Sequence, residues 1–305
     1  MLPIPGRPAF GIFVRDQVED LRRLGLEVDV LFVNGFESSV NYARGSIALR
    51  RRLSARTFDL VHAHYGLTGA TAITQRRVPV VTTFHGSDCS GEIPWQKAVS
   101  WVVARRCTPI FVSEGLAASV GREGAAVIPA AVDADLFRPG DRTEARRRLG
   151  WPLEGTIALL PGSRSNAVKD PALFDAALEA ARRSIPELVG TSLERLSRSE
   201  VVLAMNAADV IVMTSRAEGS PVTVRESLAC GTPVVSVPVG DVRSLLAGVP
   251  GCSVVARDAR SIGEAIVAVV GAGGAQERRA RAAEFGRPRI AERVAEIYRE
   301  VVARG

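Results

Sequence analysis

The fold of this chain is decided by Glu218-Gly-Ser-Pro-Val-Thr-Val-Arg-Glu226-Ser-Leu-Ala-Cys-Gly-Thr-Pro-Val-Val235. Within it, Ser220-Pro221 is typical of a helix N-cap followed by the first helical residue. The apolar run Val210-Ile-Val-Met213 before it and the strand-like stretch Val234-Val-Ser-Val237 at its end predict two strands. The stretch therefore predicts a βαβ unit with Glu218 at the carboxyl end of its first strand.

The position of these two glutamates indicates the kind of ligand. Open α/β sheets bind ligands at the carboxyl ends of their strands. The unpaired N–H groups at a helix start favour a phosphate. A carboxylate there would repel phosphate, but it can accept hydrogen bonds from sugar hydroxyls. The combination indicates a nucleotide-sugar site.

The stretch 218–235 resembles the donor-site motif of retaining family 4 glycosyltransferases, which have the GT-B fold. The resemblance implies that Glu226 binds the ribose hydroxyls and Glu218 the donor-sugar hydroxyls. Gly219 and Ser220 would offer backbone N–H groups, and Pro221 completes the motif. The alternative interpretation is a generic buried βαβ unit with two solvated glutamates.

A second cluster that matches this family is Gly162-Ser-Arg164-Ser-Asn-Ala-Val-Lys169, after the predicted strand 157–160. The pair Asp170-Pro171 behind it is typical of a helix start. By resemblance, Arg164 grips the donor diphosphate bidentately and Lys169 acts as a compact point charge. Both would neutralise the departing diphosphate, so the resemblance implies no metal and no other cofactor. Without the neighbouring motifs, we would interpret both side chains as solvated.

A third cluster is Thr82-Thr-Phe-His85-Gly-Ser-Asp88, at the end of an apolar run. It resembles the His-Gly-x-Asp loop that faces the sugar from the first domain of the family. A histidine can hydrogen-bond a sugar hydroxyl, and Gly86 lets the backbone approach the substrate. Asp88 could orient an acceptor hydroxyl or accept its proton. The alternative is a strand-end turn with a capping aspartate.

The other two histidines belong to Asp59-Leu-Val-His-Ala-His-Tyr65. His62 and His64 are two residues apart, so they share one face of a strand. A zinc site would need further ligands at suitable spacing, which the sequence does not offer. The segment resembles the family's strand that leads to an acceptor-side loop. We therefore interpret both histidines as structural or substrate-lining and expect no metal site.

The N-terminal segment Pro8-Ala-Phe-Gly11-Ile-Phe-Val14-Arg-Asp-Gln17 resembles the glycine-containing loop and first helix of bacterial polysaccharide glycosyltransferases. There Gly11 would let the backbone approach the donor phosphate. The family has an apolar strand before this loop, whereas this chain reads Met1-Leu-Pro-Ile-Pro5. Two prolines in three residues do not fit a central strand. We expect either a start further upstream or a version that has lost its first strand, and in the second case an inactive protein.

Composition and charge limit the classes of protein. With 305 residues, 47% hydrophobic, the chain can form two α/β domains. It has no apolar run of membrane-spanning length, so we expect a cytoplasmic protein or one peripheral to the inner membrane face. The net charge of +6 comes from arginine, in the runs 50–52, 146–148 and 278–279, which we interpret as solvated helix faces. The excess allows weak attraction to anionic lipid, while basic residues without interleaved aromatic ones argue against nucleic acid.

Strand and helix signals alternate along the whole chain, which predicts parallel, doubly wound sheets. One of the predicted strands is Val28-Asp-Val-Leu-Phe-Val33. The motif Val132-Asp133 with Phe137-Arg-Pro139 resembles the interdomain signature of the family. We place an acceptor-side Rossmann-like domain at 1–138 and a nucleotide-sugar-binding Rossmann-like domain at 139–286. A last helix, within 287–305, could cross back to the first domain.

Together these motifs predict an α/β protein of the GT-B type, with its active site in the cleft between two domains. It would move a sugar from a UDP- or GDP-sugar to a hydroxyl of a glycan or lipid-linked acceptor, with retention of configuration. Two other functions stay open at this point. They are a sugar-nucleotide epimerase of the same fold and a non-catalytic binding protein.

Overall fold

The computed structural model describes residues 11–89, 91 and 93–304. The chain divides into two compact units, Met1–Ala131 with Arg287–Gly305, and Val132–Gly286. The elements of the first unit are α1 (Ile12–Arg23), α2 (Val40–Ala55), β1 (Val61–His64), α3 (Gly66–Ala72), β2 (Val80–Phe84), α4 (Pro94–Val103), β3 (Thr108–Phe111), α5 (Glu114–Ser119) and β4 (Ala126–Val127). The second unit contains α6 (Arg142–Leu149), β5 (Ile157–Leu160), α7 (Pro171–Ala181), β6 (Val189–Ser192), α8 (Arg198–Ala207), β7 (Val210–Met213), α9 (Val222–Cys230), β8 (Val234–Ser236), α10 (Val242–Leu246), β9 (Cys252–Val254), α11 (Ala259–Val269) and α12 (Ala275–Ala283). The last helix is α13 (Arg287–Ala303).

The first unit has a parallel sheet in the order β1-β2-β3-β4. Its central strand β2 is buried along its whole length, since the sheet carries helices on both faces. The last helix α13 belongs to this unit and packs Ile290 and Val294 against Val81 and Ile110. Arg287 at the start of α13 binds Asp20 of α1 at 2.8 Å, which fixes the two helices to each other.

The segment 28–33 is not a strand, so that prediction was wrong. Its backbone carbonyls are held by side chains: Arg22 donates to the Val28 carbonyl at 2.7 Å and Arg52 to the Val30 carbonyl at 3.0 Å. An open cavity of about 1560 Å³ is lined by this segment and by β1. An extended segment becomes a strand only when a neighbouring strand shares its ladder, and none of the described residues supplies one here. The prediction about a strand ahead of Gly11 falls on residues 1–10, outside the described residues.

The second unit has a parallel sheet in the order β6-β5-β7-β8-β9. From β5 the chain goes first to β6 on one side, and then crosses to β7 on the other side. The direction of the strand order therefore reverses between β5 and β7. The predicted strands Val210–Met213 and 157–160 are confirmed as the two strands at this point.

The boundary between the units lies before Val132, earlier than the predicted position after residue 138. The N–H of Val132 donates to the Phe285 carbonyl at 2.9 Å, which anchors it in the second unit. Phe137 is fully buried in the core of that unit. Backbone pairing and core packing thus place the signature motif inside the second unit.

Two of the three arginine runs differ from the predicted solvated helix faces. Arg146 on α6 is buried and donates to the carbonyls of Ala207, Leu153 and Gly155. Arg278 on α12 is also buried and donates to backbone carbonyls. A guanidinium has five donors, so one buried arginine can satisfy several loop carbonyls at once. Each run therefore combines one structural arginine with exposed neighbours.

Candidate donor and acceptor sites

The loops that follow β5 and β7 bring two predicted donor residues together. Lys169, in a turn after β5, places its Nζ 2.6 Å from Oε1 of Glu218 in the loop after β7. Both side chains are mostly buried. Gly162 makes room for the lysine, because a β-carbon there would lie 2.8 Å from the lysine side chain. The ion pair stands at the carboxyl ends of the strands where the strand order reverses, which is where doubly wound sheets bind ligands.

These two loops are connected by hydrogen bonds to main-chain carbonyls. The Thr214 hydroxyl donates to the Lys169 carbonyl at 2.8 Å, and the Arg216 N–H donates to the Val168 carbonyl at 2.8 Å. Arg257 donates to the Thr214 carbonyl at 2.7 Å and forms an ion pair with Asp170. The positions of Lys169 and Glu218 are therefore set by backbone geometry as well as by their mutual attraction.

Glu226 lies on α9 with only 4% of its surface exposed. Burial raises the pKa of its carboxyl group, while the guanidinium of Arg198 at 3.1 Å opposes that shift. Arg198 is itself stacked over the ring of Phe137, at 5.0 Å from its centroid. One carboxylate with a single charged partner retains acceptor capacity for further hydrogen bonds.

The start of α9 differs from the prediction. Pro221 is the N-cap and the helix begins at Val222, so Ser220 is not the capping residue. The Ser220 hydroxyl donates instead to Asp241, at 3.0 Å, and Asp241 also pairs with the fully buried Arg225. The Gly219 carbonyl would lie 2.8 Å from a β-carbon at position 240, so Gly240 is needed for this close approach. The predicted helix end at Gly231 is confirmed by its left-handed conformation.

Arg164 has other partners than the Lys169–Glu218 pair. Its guanidinium pairs with Asp175 of α7, and its backbone N–H donates to Glu194. It lines a separate pocket of about 430 Å³ beside β6, together with Arg182 and Thr191. The long side chain is 40% exposed. In this structure, therefore, the two predicted diphosphate ligands stand apart.

In the first unit the three histidines form a cluster, with His64 and His85 at the carboxyl ends of β1 and β2 and His62 further back in β1. The Nδ1 of His64 lies 3.1 Å from the Nε2 of His85, with their rings stacked. Phe13 of α1 covers the His85 ring at a centroid distance of 4.9 Å. His62 is held by Tyr298 and Thr83. Burial lowers the pKa of His62 and His85 to about 3 and that of His64 well below its ordinary value, so all three rings are neutral at physiological pH.

Asp88 has a structural place in the loop. Its side chain is fully buried and accepts hydrogen bonds from the N–H groups of Gly66 at 3.0 Å, Gly86 at 2.8 Å and His85 at 3.1 Å. Burial raises the pKa of its carboxyl group, and these backbone donors oppose the shift. The capping alternative therefore describes the geometry better than contact with an acceptor hydroxyl.

Gly11, the other predicted donor residue, is the N-cap of α1 in a left-handed conformation with φ of 65°. This conformation favours glycine because a β-carbon would clash with the backbone. Gly86 also has a positive φ, of 147°. Both glycines thus stand where the chain needs a turn that other residues adopt poorly.

Two polar residues of the second unit were not predicted from the sequence. Asp241 follows strand β8 of the same sheet. Its position at the carboxyl edge of the sheet could have identified it as a site residue. Arg198, the partner of Glu226, stands on the first turn of α8, and no local pattern connects the two positions. Among the residues described, no group of three or more His, Cys, Asp or Glu is arranged to hold a metal ion. In the same part of the chain, no helix is long and apolar enough to cross a membrane.

Two family models match this chain. The model described as Glycosyltransferase Family 4 matches residues 11–136, and the model described as Glycosyl transferases group 1 matches residues 175–271. Each model covers the larger part of one unit. The second match includes the loop of Glu218 and the helix of Glu226.

Curated relatives and solved structures agree with these models. The chain is 25% identical to TuaC of Bacillus subtilis, described as a teichuronic acid biosynthesis glycosyltransferase, over 87% of this chain and 86% of that protein. It is 29% identical to D-inositol 3-phosphate glycosyltransferase 1 of Catenulispora acidiphila, over 81% of this chain and 73% of that protein. The alignment with TuaC has 337 positions, more than the 305 residues of this chain, so TuaC contains segments that this chain lacks.

Among solved structures, sucrose-phosphate synthase of Thermosynechococcus elongatus superposes with a TM-score of 0.78 at 18% identity, covering 96% of this chain and 94% of that one. HepE of Anabaena, solved in complex with UDP, superposes with a TM-score of 0.69 at 16% identity, covering 85% of this chain and 82% of that one. The fold and the family models together define a glycosyltransferase of the GT-B fold. Residues 11–136 thus form a Glycosyltransferase Family 4 domain, and residues 175–271 belong to a Glycosyl transferases group 1 domain.

Proposed function

We propose that this glycosyltransferase moves a sugar from a nucleoside diphosphate sugar to an acceptor hydroxyl, with retention of configuration and without a metal ion. The observation that carries the proposal is the Lys169–Glu218 ion pair at the point where the strand order of the second unit reverses. A cation and a sugar-binding carboxylate at that edge match the two halves of such a donor. Retention follows from the family resemblance of the motif that contains Glu218.

In this proposal the donor breaks the ion pair between Lys169 and Glu218 when it binds and becomes the partner of both side chains. The diphosphate accepts a charge-assisted hydrogen bond from Lys169, and Glu218 is released to accept hydrogen bonds from the sugar hydroxyls. Each charge-assisted bond contributes about 1.5–3 kcal/mol, and more as negative charge grows on the leaving group. Arg164 joins the diphosphate by leaving Asp175, an exposed ion pair that contributes little on its own.

Glu226 serves the nucleoside part of the donor. Its carboxylate is buried and has Arg198 as its charged partner, which leaves acceptor positions for ribose hydroxyls. Ser220 is held by Asp241, so the backbone of residues 219–221 is positioned before the donor binds. The neutral rings of His64 and His85 supply hydrogen bonds on the acceptor side. Asp88 organises their loop and takes no part in proton transfer.

The relatives support a choice of substrates to test first. Structures of HepE contain UDP, UDP with glucose, and UDP-glucose, so UDP and UDP-glucose come before GDP and its sugars. The name of TuaC refers to teichuronic acid biosynthesis and that of the Catenulispora relative to D-inositol 3-phosphate. We propose a glycan or a lipid-linked glycan as the acceptor class, made in cell-surface polysaccharide synthesis.

Calorimetric titration of variants with UDP and with uridine tests the donor site. Lys169→Ala removes a contact to the diphosphate only, so it should weaken UDP binding roughly tenfold or more and leave uridine binding unchanged. Glu226→Ala removes the ribose contact, so it should weaken binding of both ligands. Arg216→Ala, a largely exposed cation close to the same loops, is the matched control and should change neither affinity by more than a few-fold.

Two further readouts complete this test. NMR of the product gives the anomeric configuration, and turnover in excess EDTA gives the metal dependence. Inversion, or loss of turnover in EDTA, would refute the corresponding part of the proposal. Equal loss of UDP and uridine binding in Lys169→Ala would show that the lysine has no specific role towards the diphosphate.

A further inference from the structure

The helix α4 of the first unit exposes an apolar face. Trp95 is 58% exposed and Trp101 is 48% exposed, and Val102 and Ile93 are also exposed. Residues three, four and seven positions apart lie on the same side of a helix, so Trp95, Ala98, Trp101 and Val102 form one ridge. We call this surface, together with Ile93, the tryptophan ridge. Two of the three tryptophans of the chain stand on it.

The opposite side of α4 is firmly packed, so the ridge cannot turn inward. Ser100 and Val103 are fully buried. The helix lies so close to α3 that a β-carbon at Gly66 would be 2.1 Å from the Ser100 hydroxyl. The exposed tryptophans are therefore a fixed feature of this surface. Large exposed apolar patches on soluble proteins mark interaction sites.

Basic side chains surround one end of the tryptophan ridge. Arg105 and Arg106 follow α4 and are exposed, and the Arg105 guanidinium lies over the Trp101 ring, 3.8 Å from its centroid. Arg76, also exposed, follows α3, whose C-cap residue, Ile73, packs in the same cluster as Cys107, the residue after Arg106. The exposed Glu123 in the neighbouring turn is an acid near this end. Among the described residues at this end of the ridge, cations thus outnumber acids.

We infer that the tryptophan ridge and its arginines bind the surface of an anionic lipid bilayer. Tryptophan is favoured at the boundary between lipid and water, because its ring is apolar and its N–H is polar. Arginines beside it attract anionic headgroups, and the net charge of +6 adds to that attraction. The ridge is convex, and a lipid interface accepts such a shape without a matching groove. A protein partner would need a complementary groove.

The ridge is next to the acceptor-side loops of the same unit. Gln96, the neighbour of Trp95, accepts a hydrogen bond from the Tyr65 hydroxyl at 2.7 Å. Tyr65 directly follows His64, which contacts His85. Docking through the ridge would bring these histidines close to the headgroups. The inference rests on the proposed function in one respect. If the proposed acceptor site is correct, binding to a bilayer indicates that the acceptor is lipid-linked.

Vesicle binding by the full chain tests the inference. In a Trp151→Phe background, all tryptophan fluorescence comes from Trp95 and Trp101. Vesicles of phosphatidylcholine with phosphatidylglycerol should shift this emission to shorter wavelength and carry the protein in sedimentation. Trp95→Ser/Trp101→Ser, made in the natural background for sedimentation, should lower vesicle affinity by about tenfold or more. Arg105→Gln/Arg106→Gln should lower it roughly fivefold per arginine, and only on anionic vesicles.

The control is Leu136→Ser/Leu153→Ser, which removes two exposed apolar side chains from the second unit and should leave vesicle affinity unchanged. The side chains substituted in the ridge, arginine and control variants are exposed, and Trp151→Phe replaces a partly buried ring by a smaller one, so circular dichroism should show that all these variants fold. Absence of vesicle binding by the unsubstituted chain would overturn the inference, as would equal binding by the tryptophan variant. A change of oligomeric state in the tryptophan variant without a change in vesicle binding would assign the ridge to a second copy of the chain and would also overturn it. The vesicle assay needs no donor or acceptor. Its outcome is therefore independent of the donor titrations, and either experiment can fail while the other succeeds.

Discussion

At the residue scale, Asp88 shows how burial decides between a catalytic and a structural carboxylate. Asp88 and Glu218 both follow a parallel strand at its carboxyl end. Glu218 has one charged partner and remains partly accessible, so it can exchange that partner for a ligand. Asp88 is inaccessible and holds backbone N–H groups of two separate segments, the start of α3 and the loop after β2. Only the first arrangement leaves a carboxylate free to act on a substrate.

We predict that Asp88→Asn destabilises the first unit by about 2–3 kcal/mol. The asparagine keeps one acceptor oxygen and introduces an NH₂ group that faces backbone donors. Urea unfolding followed by Trp95 and Trp101 fluorescence measures this effect. Ser87→Ala, at the exposed neighbouring position, is the control and should change stability by less than about 0.5 kcal/mol. If Asp88→Asn were as stable as the unsubstituted protein but had lost its turnover, the result would favour a role of Asp88 in proton transfer instead.

At the element scale, α6 is fixed to its unit by one arginine of a run of three. Arg146 donates to three carbonyls and forms a 2.6 Å ion pair with Asp209, which in turn accepts from the Ile157 N–H at 2.7 Å. Arg148, two positions along the same helix, is exposed. The helix is thus connected through Asp209 to the start of β5, an interior strand of the sheet.

We predict that Arg146→Ala destabilises the second unit by about 3 kcal/mol, since it leaves three carbonyls without this donor and removes one of the two arginine partners of Asp209, which keeps Arg142 and the Ile157 N–H. Arg148→Ala changes the same charge on the same helix and should cost less than about 0.5 kcal/mol. Urea unfolding followed by Trp151 fluorescence compares the two variants. A similar effect of both substitutions would mean that helix charge, and not the buried hydrogen bonds, determines stability.

These elements also show which features the sequence predicts. The strands and helices of the second unit follow from apolar runs and from the Asp170-Pro171 and Gly231 signals, because those depend on local backbone geometry. The choice of Arg146 over Arg148 depends on which face of α6 meets α8, and a run of identical residues contains no such information. The segment 28–33 has the composition of a strand, but a strand also needs a neighbour, which composition does not reveal. The pairing of Arg198 with Glu226 also depends on how two helices, α8 and α9, pack together, so the sequence alone does not predict it.

At the scale of the whole molecule, titratable and fluorescent groups are unevenly distributed between the two units. All three histidines lie in the first unit, within residues 62–85. Trp95 and Trp101 report on that unit and Trp151 on the other. The pKa of His62 and His85 is lowered to about 3 by burial, from an ordinary value of 6.5. In the unfolded chain these histidines take up protons below about pH 6.5, whereas in the folded chain they stay neutral until about pH 3. Their contribution therefore lowers the stability of the fold as the pH falls from 6.5 towards 3.

We predict that lowering the pH from about 7.5 to about 5.5 destabilises the first unit by roughly 1 kcal/mol per histidine and leaves the second unit nearly unchanged. The raised pKa values of Asp88 and Glu226 act in the opposite direction, because the folded state binds those protons more readily as the pH falls. Urea midpoints in Trp151→Phe follow the first unit, and those in Trp95→Phe/Trp101→Phe follow the second. His85→Gln should remove about one histidine's share of the pH dependence of the first unit. Equal shifts in both probe variants would show that the acid sensitivity comes from carboxylates spread over the chain, and that the buried histidines are not its cause.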